Sequence, residues 1–176
     1  GLSNIDLSEL GLWSQSSVKL KLDGFDSFAN AVLATSDADA FQTVTIDDYC
    51  SQRSITLSLI ELDIEGAELA ALKGAERTLR RDSPDVVFEV HRSYVDWSRG
   101  LQNTEICRYL SEIGYQIYAV RDFNTHYEMQ SKKIELIPVD KVFLEGPPHG
   151  FNMFATKDLH VLDESLFRIV ENVSPK

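Results

Sequence analysis

Cysteine is scarce in this chain. Cys50 and Cys107 are the only two, with neither CxxC spacing nor a neighbouring histidine, so the sequence offers no zinc motif and no disulfide framework. Both suit burial as small apolar groups, and a reducing, cytoplasmic compartment is favoured. Glycine is present but scattered. The nine glycines stand at 1, 11, 24, 66, 74, 100, 114, 146 and 150, and none forms GxG, GxGxxG or a P-loop. A doubly wound fold that binds a nucleotide-like cofactor holds it on such a turn, and this chain has none. No apolar run approaches the ~18 residues needed to span a bilayer, and "GLSNIDLSEL" lacks the basic region and apolar core of a signal peptide. Positive charge is in short supply too. With 17 Lys and Arg against 28 Asp and Glu, the net charge is -11, which argues against nucleic acid and anionic membranes as partners. The short basic runs "RTLRR" and "SKK" read as a solvated helix end and a loop. There is no GxSxG and no cysteine beside a base, hence no nucleophile motif.

What is present suits one α/β domain over residues 1–176. "NIDLSELGLW" and "SVKLKLDGF" alternate as two short strands, a hairpin over "SQSS". "DSFANAVLATSDADAFQ" reads as loop, and "TVTIDDYC" as a strand entering a turn of helix. "ITLSLIELD" is apolar on both faces, which predicts a central strand covered on both sides. Leu69, Leu72, Ala75 and Leu79 predict a helix from Ile64 to about Arg81, closed by Arg77, Arg80 and Arg81, with Gly74 tolerated for close packing. "DVVFEVH" is the next strand. "NTEICRYLSEIGY" is a helix capped by Asn103 or Thr104 and stopped by Gly114. "QIYAV" is a strand, "IELIPVDKVFL" is edge-like because of Pro138, "GPPHG" is a turn, "FNMFATK" is the last strand, and "LDESLFRIVENV" is a closing helix. Strand alternating with helix predicts a largely parallel sheet with both faces covered.

In such sheets sites form beyond the carboxyl ends of the strands. That places Asp63, Glu65, Glu89 and His91 on the functional edge, from two neighbouring strands. Asp63, Glu65 and Glu68 also have an ordinary structural use, accepting orphan N–H bonds at a helix start. Gly66 permits close approach beside them. Convergence with Glu89 and His91 would raise a carboxylate pKa, as acid–base work requires. Asp63, Glu65 and His91 together also suit an oxygen-preferring metal, though none is assigned. Tyr94 and Trp97 either wall a pocket or cover the core. His149 stands between turn residues, while His126 and His160 read as solvated.

"TVTIDDYC…ITLSLIELDIEGAELAALKGAERTLRRDSPDVVFEVH" resembles the FkbM-type methyltransferases. The family motif is a strand ending Lys-Ile-Asp-Val-Glu-Gly-Ala-Glu, a helix with Leu-x-Gly-Ala, then Pro and a strand ending in acid. Asp63, Glu65, Gly66, Ala67, Glu68, Leu72, Gly74, Ala75, Pro84 and Glu89 match it in order. "NIDLSELGLWSQSSVKLKL" is similar to the family's third strand and the hairpin after it, and "GYQIYAV" and "GFNMFATK" look like its last two strands. Glu61 departs from the motif, standing where the family has Lys.

The resemblance implies a Rossmann-like methyltransferase sheet, mostly parallel, lacking here the first two strands and their Asp-x-Gly-Ala-Asn-x-Gly cofactor loop. It implies S-adenosylmethionine as cofactor, with Trp13 and Ser14 flanking the adenine. It also implies O-methylation of a small-molecule or glycan hydroxyl, with Asp63, Glu65, His91 and Glu89 as the catalytic set. The alternative is a non-catalytic domain of the same fold, used for binding or assembly. Without the first strand, "ITLSLIELD" becomes an exposed edge: either the N-terminal segments cover it, or a further copy of the chain or an upstream domain does, or the isolated chain is unstable.

Overall fold

The computed structural model describes residues 4–24, 30–121, 132–144, 150–163 and 165–175. The loci of His126 and His149, and nearly all of "GPPHG", lie outside these residues.

Two sheets form. The smaller contains β1 (Gly11–Leu12), β2 (Lys19–Asp23), β3 (Asn30–Leu33) and β4 (Phe41–Val44), in the order β1-β4-β2-β3. The expected hairpin between the first two strands does not form. β1 pairs parallel with β4, and β4 and β3 flank β2 as antiparallel neighbours. Thr43 organises the crossing: its hydroxyl donates to the Gln15 carbonyl (2.7 Å) and accepts from the Val18 N–H (3.1 Å), which ties the connection to β4 instead of folding it into a tight turn. β3 occupies a stretch expected to be loop. Ala31 and Val32 supply the apolar residues that pair across to Leu22 and Lys21.

The larger sheet has the order β10-β8-β7-β9-β6-β5. Its strands are β5 (Leu59–Leu62), β6 (Asp85–His91), β7 (Gln116–Val120), β8 (Ile134–Pro138), β9 (Gly150–Thr156) and β10 (Phe167–Ile169). β5 and β6 are parallel, as are β8 and β10, but β9 runs antiparallel between β6 and β7, and β8 is antiparallel to β7. The sheet is therefore mixed, not mostly parallel, because the chain returns through β9 into the middle of the sheet. β8 lies inside the sheet and not at its edge, since Pro138 sits at its last residue. The closing segment contributes β10 in place of the expected helix. Phe167 stacks on Phe154 (ring centroids 6.2 Å apart), and the ladder to β8 supplies the backbone partners.

Register puts one continuous face into the core. Ile60, Leu62, Val86, Phe88, Val90, Phe151, Met153, Ala155, Ile117 and Ala119 are all buried and neighbour one another across the ladders. Among the described residues four α-helices complete the core: α1 (Ile46–Arg53), α2 (Glu68–Lys73), α3 (Glu76–Arg81) and α4 (Glu105–Glu112). They contribute Ile46, Cys50, Ala71, Leu72, Leu79, Ile106, Cys107 and Leu110. Fully burying one of the leucine or isoleucine side chains among them is worth about 1.5–3 kcal/mol. Cys50 and Cys107 are inert members of this core, and burial pushes the Cys107 thiol up to about 11. The opposite face is only half covered: Leu59 and Glu61 are exposed, and Val87, Glu89 and His91 are half-buried. Coverage of both faces, expected from the apolar run in β5, is thus not found.

The helix predicted from Ile64 to Arg81 is two helices broken at Gly74. A Cβ at Gly74 would collide with the Trp13 carbonyl oxygen, and the Gly74 carbonyl accepts from the Asp47 N–H (3.0 Å). Asp47 in turn caps α3 from outside. Its carboxylate accepts from the Arg77 N–H (3.0 Å) and from the Thr78 N–H and hydroxyl (2.7 Å each), which serves donors that Ala75 cannot. Arg77 therefore belongs to the start of α3 and pairs with Asp47 and Asp48, not to a helix end. α4 follows expectation, with Thr104 as its cap and Gly114 beyond its end at φ +95°.

Candidate active site

The turn from β5 into α2 is backbone-strained. Glu65 has φ +53° and Gly66 φ +94°, the first of these in a conformation that costs a non-glycine residue of order 1 kcal/mol. Glu68 holds the turn: one carboxylate oxygen accepts from the Ile64 N–H (2.9 Å) and the Gly66 N–H (3.3 Å). Only 4% of Glu68 is exposed, and burial raises its pKa. Its part is structural, closing a loop whose N–H groups would otherwise be orphaned. α2 starts at Glu68 and not at Ile64 because these two residues with positive φ precede it.

β6 supplies the facing groups. Continuing the β5–β6 register by one residue beyond Leu62↔Phe88 sets Asp63 beside Glu89, on the half-open face. Burial raises Glu89 to about 7, and the charges of Asp63, Glu65 and Glu68 push in the same direction. Across β6, Gly150 pairs with His91. A Cβ there would meet Glu89 Oε1 at 2.5 Å and His91 Cδ2 at 2.8 Å, so the glycine leaves room for both side chains. His91 Nδ1 accepts from the Ser93 N–H (3.2 Å).

Tyr94 joins the two halves. Its hydroxyl donates to Glu65 Oε2 (3.2 Å), its ring lies 5.3 Å from that of His91, and it fills the space above Gly66, where a Cβ would come within 2.9 Å of the ring. The approach offered by Gly66 is thus taken by Tyr94. Beyond the ring lies a cleft of about 410 Å³ bordered by Leu69, Val95, Asp96, Arg99, Asn103 and Glu105. Trp97 instead packs on Phe151, ring centroids 5.4 Å apart, and covers the core.

Asp63, Glu65, Glu89 and His91 are brought to one edge. Trp13 and Ser14 are not brought to them. The Trp13 carbonyl abuts Gly74, at the far end of α2 from Glu68, its N–H donates to the Val44 carbonyl (3.3 Å), and Ser14 is exposed. His160 is exposed, in the turn after β9. Among the described residues no group of three or more His, Cys, Asp and Glu could hold a metal ion, so the arrangement of Asp63, Glu65 and His91 as ligands is not formed. Sequence reasoning passed over Gly150 and the Arg99–Asn103 wall. Nothing local marks them, because both owe their place to the return of β9 and the packing of α4.

The FkbM methyltransferase domain model matches residues 10–117. This chain belongs to the FkbM methyltransferase family. The match takes in β1 through the start of β7, including both carboxylate-bearing strand ends, and does not reach "GFNMFATK". No curated protein and no solved structure matches the chain. For this FkbM domain the activity that follows is methyl transfer in general, and the family's cofactor is S-adenosylmethionine. The carboxylates suit an acceptor and the cationic end of that cofactor. The described residues offer no glycine-rich cradle for its adenosyl half, and the backbone of Trp13 is taken up in the junction with α2. Among the described residues no helix is long and apolar enough to cross a membrane.

Proposed function

We propose that the chain carries the acceptor side of an S-adenosylmethionine-dependent O-methyltransferase acting on a hydroxyl of a sugar or natural-product-like small molecule. The observation that carries this reading is Glu89, a half-buried carboxylate raised to about 7 beside Asp63 and Glu65. A base with that proton affinity is about half ionised near neutral pH and suited to take the acceptor hydroxyl's proton, a contribution of about 10²–10⁴ in rate. His91 and Asp63 orient the hydroxyl, and Glu65 keeps negative charge beside the base. When bound, the cofactor supplies an electrophilic methyl group, and positioning does the rest.

Isothermal titration of this chain with S-adenosylmethionine, followed by a methyl-transfer assay over a panel of hydroxylated acceptors, tests the reading. Binding in the micromolar range supports it, as does turnover that falls about 100-fold or more in Glu89→Gln and is lost in the native chain as pH drops below about 7. No heat with the cofactor, together with binding of an acceptor, would favour a non-catalytic binding or assembly domain of the same fold.

A further inference from the structure

We infer that Tyr94 is a positioning residue of this site: its ring clamps the Glu65–Gly66 turn against the end of β6, and its hydroxyl fixes the Glu65 carboxylate on the side of Glu89. The inference rests on the reading of the site proposed above and adds a residue to it. Three contacts carry it. The ring occupies the space over Gly66, where even a methyl group would come within 2.9 Å. The hydroxyl donates to Glu65 Oε2 at 3.2 Å. The ring also lies 5.3 Å from His91, on the strand that carries Glu89. The residue being held is the one with the strained backbone, Glu65 at φ +53°, which left alone would relax toward ordinary conformations.

The consequence is electrostatic. Glu89 is faced by Asp63 and Glu65 from the turn, by Glu68 from α2, by Tyr94 from the loop after β6 and by His91 from its own strand, while β9 opposite offers uncharged Asn152 and Gly150. The Tyr94 hydroxyl holds Glu65, so releasing it weakens the Glu65 charge acting on Glu89 while Asp63 and Glu68 stay where the backbone sets them. Burial, with the Glu65 charge, raises the phenol of Tyr94 itself, so it stays a donor through neutral pH.

The test reads Glu89 directly and does not depend on turnover. The chain is labelled with ¹³C at glutamate carboxyls, the Glu89 signal is assigned by its loss in Glu89→Gln, and its titration midpoint is followed in Tyr94→Phe. The expected result is a midpoint about half a pH unit lower than in the native chain, with the thermal midpoint of unfolding held within a few degrees because the ring remains over Gly66. Tyr109→Phe, which removes a phenol bonded to the Leu72 carbonyl outside the site, should leave Glu89 where it is. An unmoved midpoint in Tyr94→Phe, or an equal shift in Tyr109→Phe, would overturn the inference. Failure of S-adenosylmethionine to bind would overturn the proposed activity and leave this measurement standing, so the two fail separately.

Discussion

β5 and β6 begin as near twins and end as opposites. "LSLIELD" and "DVVFEVH" are both apolar on alternate and adjacent positions, each carries a carboxylate at or near its end (Asp63 and Glu89), and they lie side by side in parallel. Yet β6 has a strand on each side, and its Val86, Phe88 and Val90 are wholly buried, while β5 is the sheet's edge and leaves Leu59 55% exposed. Residues 8–12 approach β5 without joining its ladder. They border an apolar groove of about 350 Å³ with Ile46, Leu57 and Leu59, and β1 pairs with β4 instead. The difference teaches that a strand's apolar content fixes what it is able to bury, while its neighbours decide what it does bury.

The largest effect expected from breaking this contrast lies in the cores of the two strands. Phe88→Ala should cost about 3–5 kcal/mol, and Leu59→Ala no more than about 0.5 kcal/mol, both read from urea unfolding of the chain; similar losses would mean that β5 is as covered as β6. The next effect concerns the brace behind β5. Helix propensity alone would have Gly74→Ala gain about 1 kcal/mol, but the Trp13 carbonyl stands where the Cβ would go, so a loss of about 1–3 kcal/mol is expected. A gain in that measurement would show that the Trp13 junction yields.

The smallest effect compares acids on the two strands. The Glu89 carboxyl is raised in the folded chain, so the folded state holds the proton more tightly. Its contribution is complete below about pH 4.5, the ordinary value of a glutamate, and is lost as pH rises through about 7. Discounted for partial exposure, the native chain should lose about 1–2 kcal/mol across that window relative to Glu89→Gln. Glu61→Gln, on the exposed face of β5, should change stability by no more than about 0.5 kcal/mol. Parallel pH–stability curves for the native chain and Glu89→Gln would remove Glu89 from its special position.

Local signals made several elements legible. Thr104 and Gly114 bracket α4 because a cap and a stop are properties of a few adjacent residues. β6 and β7 are plain from residue type. The candidate site was legible as Asp63, Glu65, Glu89 and His91 because parallel neighbours bring their carboxyl ends to one edge. What misled was long-range. Phe167 and Ile169 fit a helix pattern and became a strand because β8 had an open edge beside them. Gly74 read as a tolerated flaw within one helix and proved to be the contact point of Trp13.

By itself the sequence determined the acidic character of the chain, its membership of the FkbM family and the pairing of two carboxylate-bearing strand ends, since these depend on residue types and short spacings. Tertiary structure alone decided that β9 would insert between β6 and β7, that β5 would stand at an edge, and that Tyr94 would close over Gly66. Those outcomes turn on backbone partners and free volume contributed by residues many tens of positions apart, and no local pattern encodes which partner arrives.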